Sequence, residues 1–156
     1  MRHLIAIDPG LRGAAAEFTD GKFAGWWPLA EVTRQRDLRT FRVTQCVDAD
    51  VFIEALLAVP YRSVQATMTT ASGWGALRAR VEASAKSVVD VPPRTWQADL
   101  KLSAKRGESK ADHKRRIAYM VRAHLNMPDL PIYATDAVAI GIWALHRAGD
   151  GVRPAA

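Results

Sequence analysis

The chain has 156 residues, of which 49% are hydrophobic and 24% charged, with a formal net charge of +6 and a pI near 9.9. That length suits one domain with a real core, and the apolar content excludes global disorder. A single cysteine, Cys46, excludes both an intrachain disulfide framework and a cysteine-rich zinc site.

The basic balance points to a polyanionic partner, nucleic acid first. The longest apolar stretch, residues 51–59, is short and contains Glu54, so no segment is expected to span a membrane. The N-terminus lacks the apolar core of a secretory signal. These features, with the lone cysteine, predict a cytoplasmic protein with no membrane partner.

The chain opens on the apolar run Leu4-Ile5-Ala6-Ile7, a buried strand that ends in Asp8-Pro9-Gly10. Residues 13–18 (GAAAEF) and 22–29 (KFAGWWPL) read as two further strands joined by a tight turn at Asp20-Gly21. Residues 31–45 carry Arg34, Arg36, Arg39 and Arg42 with few apolar anchors. They read as an extended segment, either a solvated loop or one whose arginines reach phosphates.

Asp48 or Asp50 is expected to cap a helix of about ten residues that stops before Pro60. Residues 61–68 (YRSVQATM) read as the fourth strand. A helix over 71–86 follows, with Trp74, Leu77, Val81 and Ala85 on one face. Residues 87–91 form the fifth strand, stopped by Pro92-Pro93, and a short helix spans 95–100.

Lysines and arginines crowd residues 101–116. Ser109 caps a helix running to Leu125 with Ile117, Met120, Val121 and Leu125 inward. A last helix, residues 135–147, is apolar on nearly all sides and reads as buried. The tryptophans read mostly as core. The order β-β-β-α-β-α-β-α-α implies a mixed sheet covered by helices, in one domain over residues 1–150 with a short tail over 151–156.

Two acids stand out. Asp8 closes a strand built for the core, where Asp-Pro-Gly is also good turn chemistry. Asp136 opens the buried last helix, where an acid also offsets the helix dipole. Each has an ordinary structural reading and a functional one.

Together with their surroundings they resemble a known family. The segments "IAIDPG", "VPPRTWQADL", "KADHK" and "TDAVAIGIWA" occur in this order, and the set is similar to the RuvC-like Holliday junction resolvases, especially the short phage and prophage versions. The resemblance covers most of the chain. It implies an RNase H-like α/β fold, a five-stranded mixed sheet flanked by helices. It also implies a homodimer that binds four-way DNA junctions and hydrolyses phosphodiesters with two Mg²⁺ or Mn²⁺ ions. Hard divalent cations take oxygen ligands, and paired cations activate water and stabilise the leaving oxygen. Asp8 and Asp136 match two of the implied metal-binding acids.

The family carries a glutamate on its fourth strand. With that strand at 61–68, Gln65 occupies the place, which leaves a neutral carboxamide among the implied metal and catalytic residues Asp8, Gln65 and Asp136. A second expected ligand, three or four residues before the last aspartate, falls on Tyr133; Asp129 lies seven residues away. These departures predict either an impaired nuclease or a protein of the same fold that binds junctions without cutting.

Lys110 and Lys114 compete for the family's basic residue near the scissile phosphate, and spacing from the last helix favours Lys114. Lys101, Lys105, Arg106, Lys110, Lys114 and Arg115 are the expected DNA-backbone contacts. A sugar-kinase or actin-like ATPase, whose first strand also ends in an aspartate and a glycine turn, needs a second domain and further glycine-rich loops. An RNA nuclease of the same fold stays open.

Overall fold

The computed structural model describes residues 2–10, 13–29, 46–56 and 63–149. Within them lie five strands, β1 (His3–Asp8), β2 (Ala14–Thr19), β3 (Lys22–Pro28), β4 (Asp50–Glu54) and β5 (Ser87–Val91). Four helices accompany them: α1 (Val64–Glu82), α2 (Pro93–Asp99), α3 (Lys110–Leu125) and α4 (Thr135–Arg147). The strands form one mixed sheet in the order β3-β2-β1-β4-β5. β1, β2 and β3 pair antiparallel, whereas β4 pairs parallel to both β1 and β5. The expected five-stranded mixed sheet flanked by helices is therefore the observed one.

Asp20 and Gly21 both adopt left-handed backbone angles, φ 49° and 76°. This is the turn whose twist matches a two-residue hairpin, and it explains the tight β2–β3 connection. β1 is central and apolar on both faces because each face is covered. Leu4 and Ala6 pack with α2, α3 and α4, while Ile5 and Ile7 pack with Val51, Ile53 and the α1 residues Leu77 and Val81. α4 lies directly on the sheet: a Cβ on Gly141 would meet the Phe18 ring at 2.1 Å. Only glycine permits that approach.

Two sequence expectations are overturned. The helix expected after Asp48 or Asp50 is instead strand β4, and the strand expected at 61–68 is the start of helix α1 from Val64 onward. The reason lies in residues 50–54, DVFIE. Val, Phe and Ile favour a pleated strand, and their burial alternates, with Val51 and Ile53 buried and Asp50, Phe52 and Glu54 half-buried. Asp48 sits at φ 57° in the turn before β4 and caps no helix. One strand is lost and one gained, so the strand count survived while the identity of the fourth strand did not. Arg34, Arg36, Arg39, Arg42, Pro60 and the tail over 151–156 lie outside the described residues.

The C-terminal helices follow the sequence closely. The Ser109 hydroxyl accepts the Asp112 N–H at 3.1 Å and caps α3. Asn126 closes the helix in the left-handed conformation at φ 55°. Among the described residues no helix is long and apolar enough to cross a membrane.

Candidate active site

Asp8 is the last residue of β1 and Glu54 the last of β4. Parallel register pairs Ala6 with Phe52 and Ile7 with Ile53. One step further, Asp8 and Glu54 end adjacent strands at the same edge and on the same face of the sheet. That face carries α4, whose first turn holds Asp136. Three carboxylates from distant parts of the chain thus meet at the carboxyl end of two parallel strands.

Asp8 is 9% exposed. Its Oδ1 accepts the Gly10 N–H at 3.0 Å, so Pro9-Gly10 does form a turn and the turn pins the carboxylate. The turn reading of the Asp-Pro-Gly stretch holds, and the same turn orients the carboxylate. Gly13 completes the corner: a Cβ there would fall 2.0 Å from the Asp8 carbonyl oxygen. Burial, and next the Asp136 charge, push the Asp8 carboxyl up to about 6.

Glu54 stands where the chain first offered Gln65. Its Oε1 accepts the Trp96 indole N–H at 3.1 Å, and its main-chain carbonyl accepts the Trp74 indole N–H at 3.1 Å. Burial, and next the Asp8 charge, push its carboxyl up to about 7. Poor hydration penalises the charged carboxylate, and the neighbouring acids add repulsion to it.

Asp136 does not cap its helix. The N-cap is Ala134, with no side-chain cap bond. One carboxylate oxygen, Oδ2, pairs with the Lys114 ammonium. The other, Oδ1, is buried and has no hydrogen-bond partner among the described residues. An orphaned buried carboxylate oxygen is costly, and a cation or donor from outside the chain would satisfy it.

The donor set suits a hard cation, since Asp8, Glu54 and Asp136 offer only oxygen. Among the described residues no group of three or more acidic, imidazole or thiol side chains stands arranged to hold a metal ion. Trp96 and Lys114 each hold one of the oxygens, so closing a shell takes side-chain adjustment at Asp136 and Glu54. Among the described residues Lys114, paired with Asp136 Oδ2, is the one cation that acts on the raised carboxyls of Asp8 and Glu54, and Asp136 Oδ1 stays without a partner. In donor chemistry the three carboxylates suit a hard divalent cation.

Gln65 lies in the first turn of α1 with an exposed side chain. Its expected place on the fourth strand is corrected: that strand is β4, and the acid that ends it is Glu54. Tyr133 packs edge-on against Trp26, ring centroids 5.4 Å apart.

The basic stretch divides in two. Lys101, Lys105, Arg106 and Lys110 are exposed, and none of their side chains forms an ion pair within the described residues. Arg115 pairs with Asp112 at 2.8 Å on the surface. Arg116 is committed inward, bonding Glu108 at 2.8 Å and the Ser103 carbonyl at 2.8 Å. This pairing draws Glu108 down to about 2.

No protein-family profile matches the chain, and no curated protein sequence does. Solved structures do. RuvC of Thermus thermophilus in complex with a Holliday junction substrate superimposes with a TM-score of 0.64 at 17% identity, covering 94% of this chain and 96% of that one. A second Thermus thermophilus RuvC structure gives a TM-score of 0.60 at 16% identity, with coverage of 94% and 96%. At this identity the likeness is one of fold: the chain has the RNase H-like architecture of RuvC across nearly its whole length.

Proposed function

We propose that this protein is a divalent-metal-dependent endonuclease of branched DNA, which binds four-way junctions as a homodimer and cuts their strands by hydrolysis. The observation that carries the reading is the convergence of Asp8, Glu54 and Asp136 at one sheet edge, with Lys114 beside them. The fold shared with a RuvC solved on a Holliday junction supports the choice of substrate. A third carboxylate at the end of the fourth strand, Glu54, supports the cutting reading over the non-cutting one.

In this reading Asp8, Glu54 and Asp136 hold Mg²⁺ or Mn²⁺. Bound there, the cation lowers the pKa of water and neutralises charge on the phosphodiester. Asp8 is kept in one orientation by the Gly10 N–H. Lys114 holds Asp136 in the free protein and offers its ammonium to the substrate phosphate when cation occupies the carboxylates. Lys101, Lys105, Arg106 and Lys110 contact flanking phosphates, which position the junction without reading bases. A two-fold dimer matches the two-fold symmetry of a four-way junction and gives paired cuts.

The test is incubation with a synthetic four-way junction and with linear duplex of the same arm sequences, in Mg²⁺ and in EDTA. Nicking of the junction alone, in Mg²⁺ alone, supports the reading. Junction binding without nicking in either Mg²⁺ or Mn²⁺ favours a non-cutting junction binder. Equal affinity for linear duplex and junction refutes specificity for branched DNA.

A further inference from the structure

Glu54 is gripped twice, from opposite faces of the sheet. α1, on the Ile5–Ile7 face, sends the Trp74 indole N–H to the Glu54 main-chain carbonyl. α2, on the other face, sends the Trp96 indole N–H to the Glu54 carboxylate. The two donors lie 20 and 42 residues away in sequence.

Neither grip is loose. Trp96 is fully buried, and its helix starts abruptly at Pro92-Pro93, with the Thr95 N–H bonded to the Pro92 carbonyl at 2.9 Å. The Arg78 guanidinium sits over the Trp74 ring, 5.8 Å from its centroid, and is itself bonded to Asp90 on β5 at 2.9 Å. The main chain of Glu54 is thus fixed as a pivot, and its side chain is fixed at one oxygen.

An indole N–H donates and never accepts. Facing a carboxyl group, it favours the charged, acceptor-only form. It also leaves the second oxygen for another partner. If Glu54 turned away, a fully buried N–H would lose its acceptor, at the cost of an unsatisfied donor in the core.

We propose that Trp96 is a positioning residue that holds the Glu54 carboxylate toward Asp8 and Asp136 for metal binding. The inference rests on the proposed metal-dependent function of that site. Trp96 touches neither metal nor DNA and acts through Glu54. Removal of such outer partners typically weakens metal affinity or activity by about 10- to 100-fold.

The test compares Trp96→Phe with Trp143→Phe. Trp143 is also a core tryptophan, but its N–H bonds Asp99 at 2.7 Å. Mn²⁺ affinity is read by calorimetry, junction affinity in EDTA by titration, and nicking by kcat and KM. Trp96→Phe is expected to weaken Mn²⁺ binding and lower kcat by about 10-fold or more, with junction affinity unchanged, while Trp143→Phe keeps Mn²⁺ affinity. Equal Mn²⁺ binding by wild type and Trp96→Phe overturns the proposal. A second measurement needs no variant: in the wild-type protein the Trp96 indole ¹H–¹⁵N resonance is expected to move on Mg²⁺ addition while that of Trp143 stays. A Trp96 resonance that does not move while Mg²⁺ binds overturns the proposal too. Wild-type protein that binds neither Mn²⁺ nor Mg²⁺ overturns the underlying function instead, a distinct result.

Discussion

Ile7 of β1 pairs with Ile53 of β4 in parallel register. The next residues, Asp8 and Glu54, therefore close two neighbouring strands with two carboxylates on one face. Parallel pairing is what brings them together: both strands run toward the same edge, so their last side chains share it. Asp136 enters from α4, which lies on that face because Gly141 lets it settle on Phe18.

The acids make the metal-free fold pH-sensitive. The folded protein keeps a proton on Asp8 up to about 6 and on Glu54 up to about 7, against ordinary values of 3.8 and 4.5. As pH rises, the unfolded chain loses these protons first, so stability falls from the ordinary values through about pH 7. A rise of this size in one carboxyl corresponds to about 3 kcal/mol. In EDTA the protein is expected to melt at higher temperature at pH 5 than at pH 8, and Asp8→Asn to narrow the gap. Thermal melts across pH 5–8 check this, and a flat profile contradicts it.

The basic stretch separates by variant. Alanine at Lys101, Lys105, Arg106 or Lys110 is expected to leave stability unchanged and to reduce the log–log salt slope of junction binding by about one each. Arg116→Ala is expected to lower the melting temperature instead, because Arg116 bonds Glu108 and the Ser103 carbonyl. Junction titrations at several salt concentrations, paired with melts, distinguish the two groups.

Gly141→Ala places a methyl group 2.1 Å from the Phe18 ring. α4 must then lift from the sheet or Phe18 must move, an overpacking cost of about 1–3 kcal/mol or more. A clear drop in melting temperature, with junction nicking reduced through Asp136, is the expected outcome.

Much of this was legible in the sequence. The apolar run ending at Asp8, the Asp20-Gly21 hairpin, the Ser109 cap and the buried last helix all carry strong local signals, and they fix the sheet centre and its cover. The fourth strand was not legible. Residues 50–54 are short, flanked by candidate caps at Asp48 and Asp50 and followed by apolar residues, so the stretch satisfies a helix start as well as a strand. Period alone cannot separate a short buried strand from a helix turn. The telling signal was Val51-Phe52-Ile53 between two acids, a β-favouring triplet with an acid at each end. Reading 61–68 as a strand then drew Gln65 into the site. Trp96 was read as core, and it is core; that its N–H faces a carboxylate depends on contacts 42 residues apart.

We propose that Asp8, Glu54 and Asp136 form one metal-dependent cleavage site, with Glu54 rather than Gln65 as its third acid. It is tested most directly by junction cleavage in Mg²⁺, comparing wild type with Glu54→Gln and Gln65→Ala at equal junction affinity. Wild type is expected to cut, and Glu54→Gln to lose more than about 100-fold in rate, beyond the usual effect of an outer partner. Gln65→Ala is predicted to stay within about twofold, as exposed positions do. Wild-type rates in Glu54→Gln, or a collapse of cleavage in Gln65→Ala, would contradict it.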